Sequence, residues 1–201
     1  MAMALAMGTV LAELSPSAKA QSQSWTGATS SDWNTATNWS NNAFPNGVGT
    51  LGFATINLST GNFPVITANS VFLPSDVTIG EGTGLSGRLD VRGGTLNTGT
   101  GNFLYVGRNT GTLAASAGTG ILNIADTSVV GGGITGFGIG TAGLTIGNGT
   151  GGRLAIGVGT SAIGTVNINT SGTITVLDAQ GIRIGDNIGA GTLAGAGTGV
   201  L

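Results

Sequence analysis

Gly87-Arg88-Leu89-Asp90-Val91 decides the reading of this chain, because the pattern returns. The same order of glycine, spacer, aliphatic, spacer, aliphatic stands at Gly120-Ile121-Leu122-Asn123-Ile124, Gly152-Arg153-Leu154-Ala155-Ile156 and Gly164-Thr165-Val166-Asn167-Ile168. The first three copies begin at 87, 120 and 152, so they lie 33 and 32 residues apart. An Ile-Gly or Val-Gly dipeptide precedes most copies, at Ile79-Gly80, Val106-Gly107, Ile146-Gly147 and Ile184-Gly185. Self-similarity at such a period marks a stacked repeat architecture. Alternation within each copy puts Leu89 and Val91 on one face and Arg88 and Asp90 on the other. It predicts that Leu89, Leu122, Leu154 and Val166 line one aliphatic column, while Asp90 and Asn123 face water.

Working outward, one unit reads Val77-Thr78-Ile79-Gly80, a glycine-rich turn, Gly87 to Val91, then Gly93-Gly94-Thr95-Leu96. Thr173-Ile174-Thr175-Val176 fills the third place in a later unit. Each piece is too short to stand alone as a hairpin. Stacked in parallel about 4.8 Å apart, such pieces pair their backbones and bury a continuous apolar column. The expected fold is therefore all-β, a β-solenoid. Further short strands are expected at 51–58, 65–66 and 71–73. The chain reaches Gly199-Val200-Leu201 partway through another copy, which suggests a further C-terminal part of the same protein as its neighbour.

Composition supports this reading. Glycine supplies 40 of 201 residues, about three times the usual share. It does not fall at every third position, so collagen is excluded. Only 7% of residues are charged, and six basic against eight acidic residues give a net charge of −2. That is no basic surface for nucleic acid. The chain has no Cys and no His, which excludes disulfides, zinc sites of the usual Cys/His kinds and Ser-His-Asp or Cys-His catalysis. No metal and no cofactor is expected.

Residues 1–20 read as a signal peptide. Met1 to Leu14 is almost wholly small or apolar, too short to span a bilayer. Ala18-Lys19-Ala20 fits the small-x-small rule, placing cleavage between Ala20 and Gln21. No other segment suggests a membrane span in the mature chain. Residues 21–76 form a Trp-rich cap with the first strands, and 77–201 the solenoid repeats. Trp25, Trp33 and Trp39 either close the N-terminal end of the solenoid, burying large apolar area, or offer their rings to sugars as glycan contacts.

Other chemistry is thinly represented. Glycoside cleavage needs two carboxyls about 5–10 Å apart. Asp90 with Arg88, or Asp186 with Arg183, are the candidates, against a reading in which all are outward and solvated. Calcium-binding nonapeptides need an Asp after Gly-Gly-x-Gly-x, and Gly131-Gly132-Gly133 and Gly151-Gly152 lack it. Thr-x-Thr, as at Thr35–Thr37 and Thr173–Thr175, does not recur in register on every coil, as an ice-binding face requires. No catalytic residue is expected.

The segments Trp25-Thr26-Gly27, Ser31-Asp32-Trp33, Ala36-Thr37-Asn38-Trp39, Pro45 and Ala54-Thr55-Ile56 resemble secreted bacterial proteins with autotransporter-associated β-strand repeats. So do Tyr105-Val106-Gly107-Arg108 and Gly120 to Ile124 downstream. Many such proteins look like surface proteins with a sorting tail of the PEP-CTERM type. The resemblance covers roughly 25–201. It implies an exported right-handed parallel β-helix, secreted or on the outer surface of a Gram-negative-type bacterium. The implied role is a stalk or adhesive element facing surface glycans or extracellular matrix. The alternative function is a carbohydrate-binding or polysaccharide-cleaving β-helix protein.

Overall fold

The structure is a computed structural model. It describes residues 22–45, 53–67, 76–98, 102–109, 118–125, 142–146, 152–177, 181–185 and 198–201. The signal segment and its cleavage site, the expected strand at 71–73, Gly147, Gly151, the run Gly131–Gly133 and Asp186 lie outside them. The chain is all-β: among the described residues the one helical piece is a single 3-10 turn at Ala36–Asn38.

One sheet holds β1 (Gln23–Ser24), β2 (Ala54–Ile56), β4 (Val77–Glu81), β7 (Phe103–Arg108), β10 (Arg153–Val158) and β13 (Ile182–Ile184), in that spatial order. A second holds β3 (Val65–Ile66), β5 (Ser86–Val91), β8 (Thr119–Ala125), β11 (Ile163–Asn169) and β14 (Thr198–Val200). A third holds β6 (Gly94–Asn97), β9 (Ala142–Ile146) and β12 (Ile174–Val176). Every pairing within these sheets is parallel. From β4 onward the chain visits first, second and third sheet in turn, then returns to the first. This is compatible with a coil of short strands. The first sheet runs unbroken across position 76, since Ala54–Ile56 pairs with Val77–Ile79.

Register fixes which side chains share a column. On the first sheet Val77, Leu104, Leu154 and Ile182 align, and so do Ile79, Val106, Ile156 and Ile184. On the second, Leu89, Leu122 and Val166 align, beside Val91, Ile124 and Ile168. Leu96, Leu144 and Ile174 form the third. The buried members of these columns belong to one hydrophobic core.

The structure corrects the column expected from the repeat. Leu154 packs in the same core as Leu89, Leu122 and Val166, but from the first sheet. The copy at Gly152 stacks on Phe103–Val106 instead of on Gly120–Ile124. The true second-sheet glycines are 87, 120, 164 and 199. Likewise Ile146 is a third-sheet residue paired with Val176, and the first-sheet partner of Ile79 and Val106 is Ile156. The confusion has a physical source: all three sheets need aliphatics at alternate positions, so alternation cannot tell one face from another.

Glycine marks where the first and second sheets meet. A Cβ on Gly199 would lie between Ile156 O and Gly185 N, the two ends of a 2.8 Å backbone hydrogen bond between neighbouring coils. Gly87 stands in the same way over Ile56 O and Gly80 N, Gly120 over Ile79 O and Gly107 N, and Gly164 over Val106 O and Gly157 N. Opposite them, Gly80, Gly107, Gly157 and Gly185 all have φ between 67° and 70°. On Gly80 a Cβ would strike Thr119 O, and on Gly107 Ile163 O. The two recurrent motifs are thus the two sides of one seam.

Gly61 isolates the cause, because its φ of 66° matches Gly80 while nothing lies within 4 Å of its missing Cβ. Gly61→Ala should cost about 1 kcal/mol, the left-handed backbone penalty. Gly80→Ala adds overpacking against backbone and should cost at least about 3 kcal/mol in total. Urea midpoints at constant m-value measure the difference.

Candidate functional site

The outer face of the second sheet carries the densest polar cluster, and Asp90 is at its centre. Arg88, Asp90 and Arg92 alternate along β5 and its end, so all three leave the sheet on one side. Arg88 Nε donates to Asp90 Oδ1 at 2.9 Å and its Nη2 to Oδ2 at 3.0 Å. Arg92 Nη2 donates to the same Oδ2 at 2.8 Å. The Arg88 guanidinium lies 4.1 Å from the centre of the Phe63 ring, a cation–π contact. Asp90 is 0% exposed.

Below Asp90 the same repeat position holds Asn123 and Asn167, in register. Asn123 Nδ2 donates to Asp90 Oδ1 at 2.7 Å, and Asn167 Nδ2 donates to Asn123 Oδ1 at 2.8 Å. The result is a one-way ladder of side-chain hydrogen bonds ending on a carboxylate. The expectation that Asp90 and Asn123 face water is therefore corrected: Asn123 is only 2% exposed. The guanidiniums and the ladder cover what strand alternation points outward. Both Asp90 oxygens accept charged or amide donors.

The three tryptophans are interior. Trp25, Trp33 and Trp39 are 5%, 1% and 1% exposed. Trp39 stands edge-on to Trp25 and Trp33, with centroids 5.0 and 4.8 Å away, and Trp25 stacks on Trp33 at 6.5 Å. Trp25 Nε1 donates to Asn62 O and Trp39 Nε1 to Trp33 O. Rings buried this deeply have no face to offer a sugar. The segment is organised by Asn38, whose Oδ1 accepts from Thr29 N and Ser30 N while its Nδ2 donates to Asp32 O. Nothing in the local sequence pattern singles out Asn38.

A second outer cluster lies on the first sheet. Phe103 and Tyr105 stack at 5.6 Å, with Arg153 over Phe103 and Arg108 over Tyr105. Arg108 also pairs with Glu81 at 3.2 Å. Asp76 accepts the Phe103 amide at 3.0 Å. Partial burial pushes its carboxyl above the ordinary range, opposed by that amide and by Arg108. Arg183 continues this face in register with Tyr105 and Ala155. Among the described residues no group of three or more His, Cys, Asp or Glu is placed to hold a metal.

Removing Asn123 should matter more than its outward position suggests. Asn123→Ala strips one donor from a buried carboxylate and should cost about 1–3 kcal/mol, against about 0.5–1 kcal/mol for Asn167→Ala at the more open end. Chemical denaturation reads both. Asp76 gives a pH signature. Its folded pKa is raised, so its contribution favours the fold below the ordinary carboxylate range and is lost as pH rises through the folded pKa. Asp76→Asn keeps the acceptor for Phe103 and removes that loss. Its urea midpoint should exceed wild type at pH 7, and the gap should close in acid.

Compared with protein-family models, curated proteins and solved structures, the chain matches none, so the reading of its role rests on this geometry.

Proposed function

We propose that the chain is an exported, non-enzymatic right-handed parallel β-helix that serves as a structural or adhesive element on the surface of a Gram-negative-type bacterium. In this reading it is akin to proteins with autotransporter-associated β-strand repeats, and the Trp-rich segment caps its N-terminal end. One observation carries the proposal: Asp90 with Arg88, the described one of the two pairs that the sequence offers for chemistry, is engaged in holding coils together. Asp90 is saturated by Arg88, Arg92 and Asn123, and Glu81 is paired to Arg108 across coils. The right hand follows from the strong bias of parallel crossovers toward that hand. The cap follows from β1 lying at the first sheet's edge, next to the buried tryptophans. Export rests on the cleavage pattern at Ala18-Lys19-Ala20.

Protease shaving of intact cells, read by mass spectrometry, tests the placement. It should release peptides of this chain with a mature N-terminus at Gln21. Recovery only from cytosol with Met1 retained contradicts it. In parallel, the purified protein should release no product from pectin, alginate or xylan. Reproducible cleavage of any of them would favour the polysaccharide-active alternative.

A further inference from the structure

We propose that residues 22–45, 53–67 and 76–98 form a template on which the later coils are laid down in chain order during folding. Two anchors stand at this end of the stack, and each is complete without the later coils. The first is the tryptophan cluster. It is tied to the early strands by Trp25 Nε1 on Asn62 O and by Trp33 N on Val65 O. The second is Asp90, clamped by Arg88 and Arg92 of its own segment, with Arg88 resting on Phe63 from the preceding coil.

The outer side-chain ladder beyond these anchors has a direction. Asn123 gives its amide to Asp90, and Asn167 gives its amide to Asn123. Each later amide therefore meets an acceptor that the earlier coil has already fixed. At the seam each second-sheet glycine lies over a backbone carbonyl of the coil before it, Gly120 on Ile79 O and Gly164 on Val106 O, while Gly80 and Gly107 lie against Thr119 O and Ile163 O of the coil after. Adding a coil to a fixed edge orders one coil and gains a full ladder, whereas starting without an edge must order two coils for the same ladder. At the opposite edge β12, β13 and β14 are three residues each, and Ile182, Ile184 and Val200 are exposed.

Pulsed hydrogen exchange during refolding of the full chain from urea, read by mass spectrometry, tests this. Amides of Val77–Val91 should become protected before those of Arg153–Asn169. Trp33→Ala should delay all coils by a common factor, while Val166→Ala should delay residues 163–176 and the strands that stack after them, leaving Val77–Val91 and Phe103–Arg108 at wild-type timing. If Trp33→Ala does not refold, Asp90→Asn serves: it should delay Thr119–Ala125 and Ile163–Asn169 but leave Val77–Glu81 unchanged. Simultaneous protection of all coils overturns the proposal. So does earlier protection of Arg153–Asn169, or an Asp90→Asn variant with wild-type timing at Ile163–Asn169.

Discussion

Backbone from the second sheet sits directly on an inter-coil hydrogen bond of the first sheet, and the rest of the molecule depends on that approach. Where Gly199 crosses the bond between Gly185 N and Ile156 O there is no room for a methyl group. The same holds at Gly87, Gly120 and Gly164. This close approach brings the aliphatic columns of two sheets into one core. A side chain at the seam would push the sheets apart and open that core, losing dispersion contacts along its length. The unusual glycine content is thus in part a packing requirement.

Polar groups set register where apolar packing cannot. A column of Leu, Ile and Val tolerates a slip of one coil, since each rung offers a similar surface. The outer ladder does not. Asp90, Asn123 and Asn167 must meet in order for the amides to find acceptors, and the clamp by Arg88 and Arg92 identifies one rung as the first. Burial of the pair adds little stability by itself but makes misalignment expensive.

Much of the fold was legible because stacking forces repetition. The pieces at Gly87, Gly120 and Gly164, and the third-sheet strand at Ile174–Val176, fell where alternation put them. The assignment of Gly152 to the same face failed because Arg153-Leu154-Ala155-Ile156 alternates just as well. A subtler signal separates the faces: the fourth motif position is Asp90, Asn123 and Asn167 on the second sheet, but Ala155 on the first. A second is the shared turn Gly80-Glu81-Gly82-Thr83 and Gly157-Val158-Gly159-Thr160, with positive φ at both glycines of each copy. The burial of Asp90 was not legible from alternation, because it depends on arginines two residues away folding back over the carboxylate. The tryptophan cluster was legible as apolar mass, but its organisation by Asn38 was not, since that comes from loop closure over several residues.

The register of the second sheet is the most direct test of the whole account. In a chain without native cysteine, paired spin labels can be placed at Ile121 and Thr165, or at Ile121 and Arg153. The structure sets Ile121 beside Thr165 and sets Arg153 beside Phe103 on another sheet. Continuous-wave spectra should show strong dipolar broadening for the Ile121/Thr165 pair, whose backbones lie one ladder step of about 4.8 Å apart, and much weaker broadening for Ile121/Arg153. Strong broadening for Ile121/Arg153 with none for Ile121/Thr165 would restore the simple sequence period and contradict the seam.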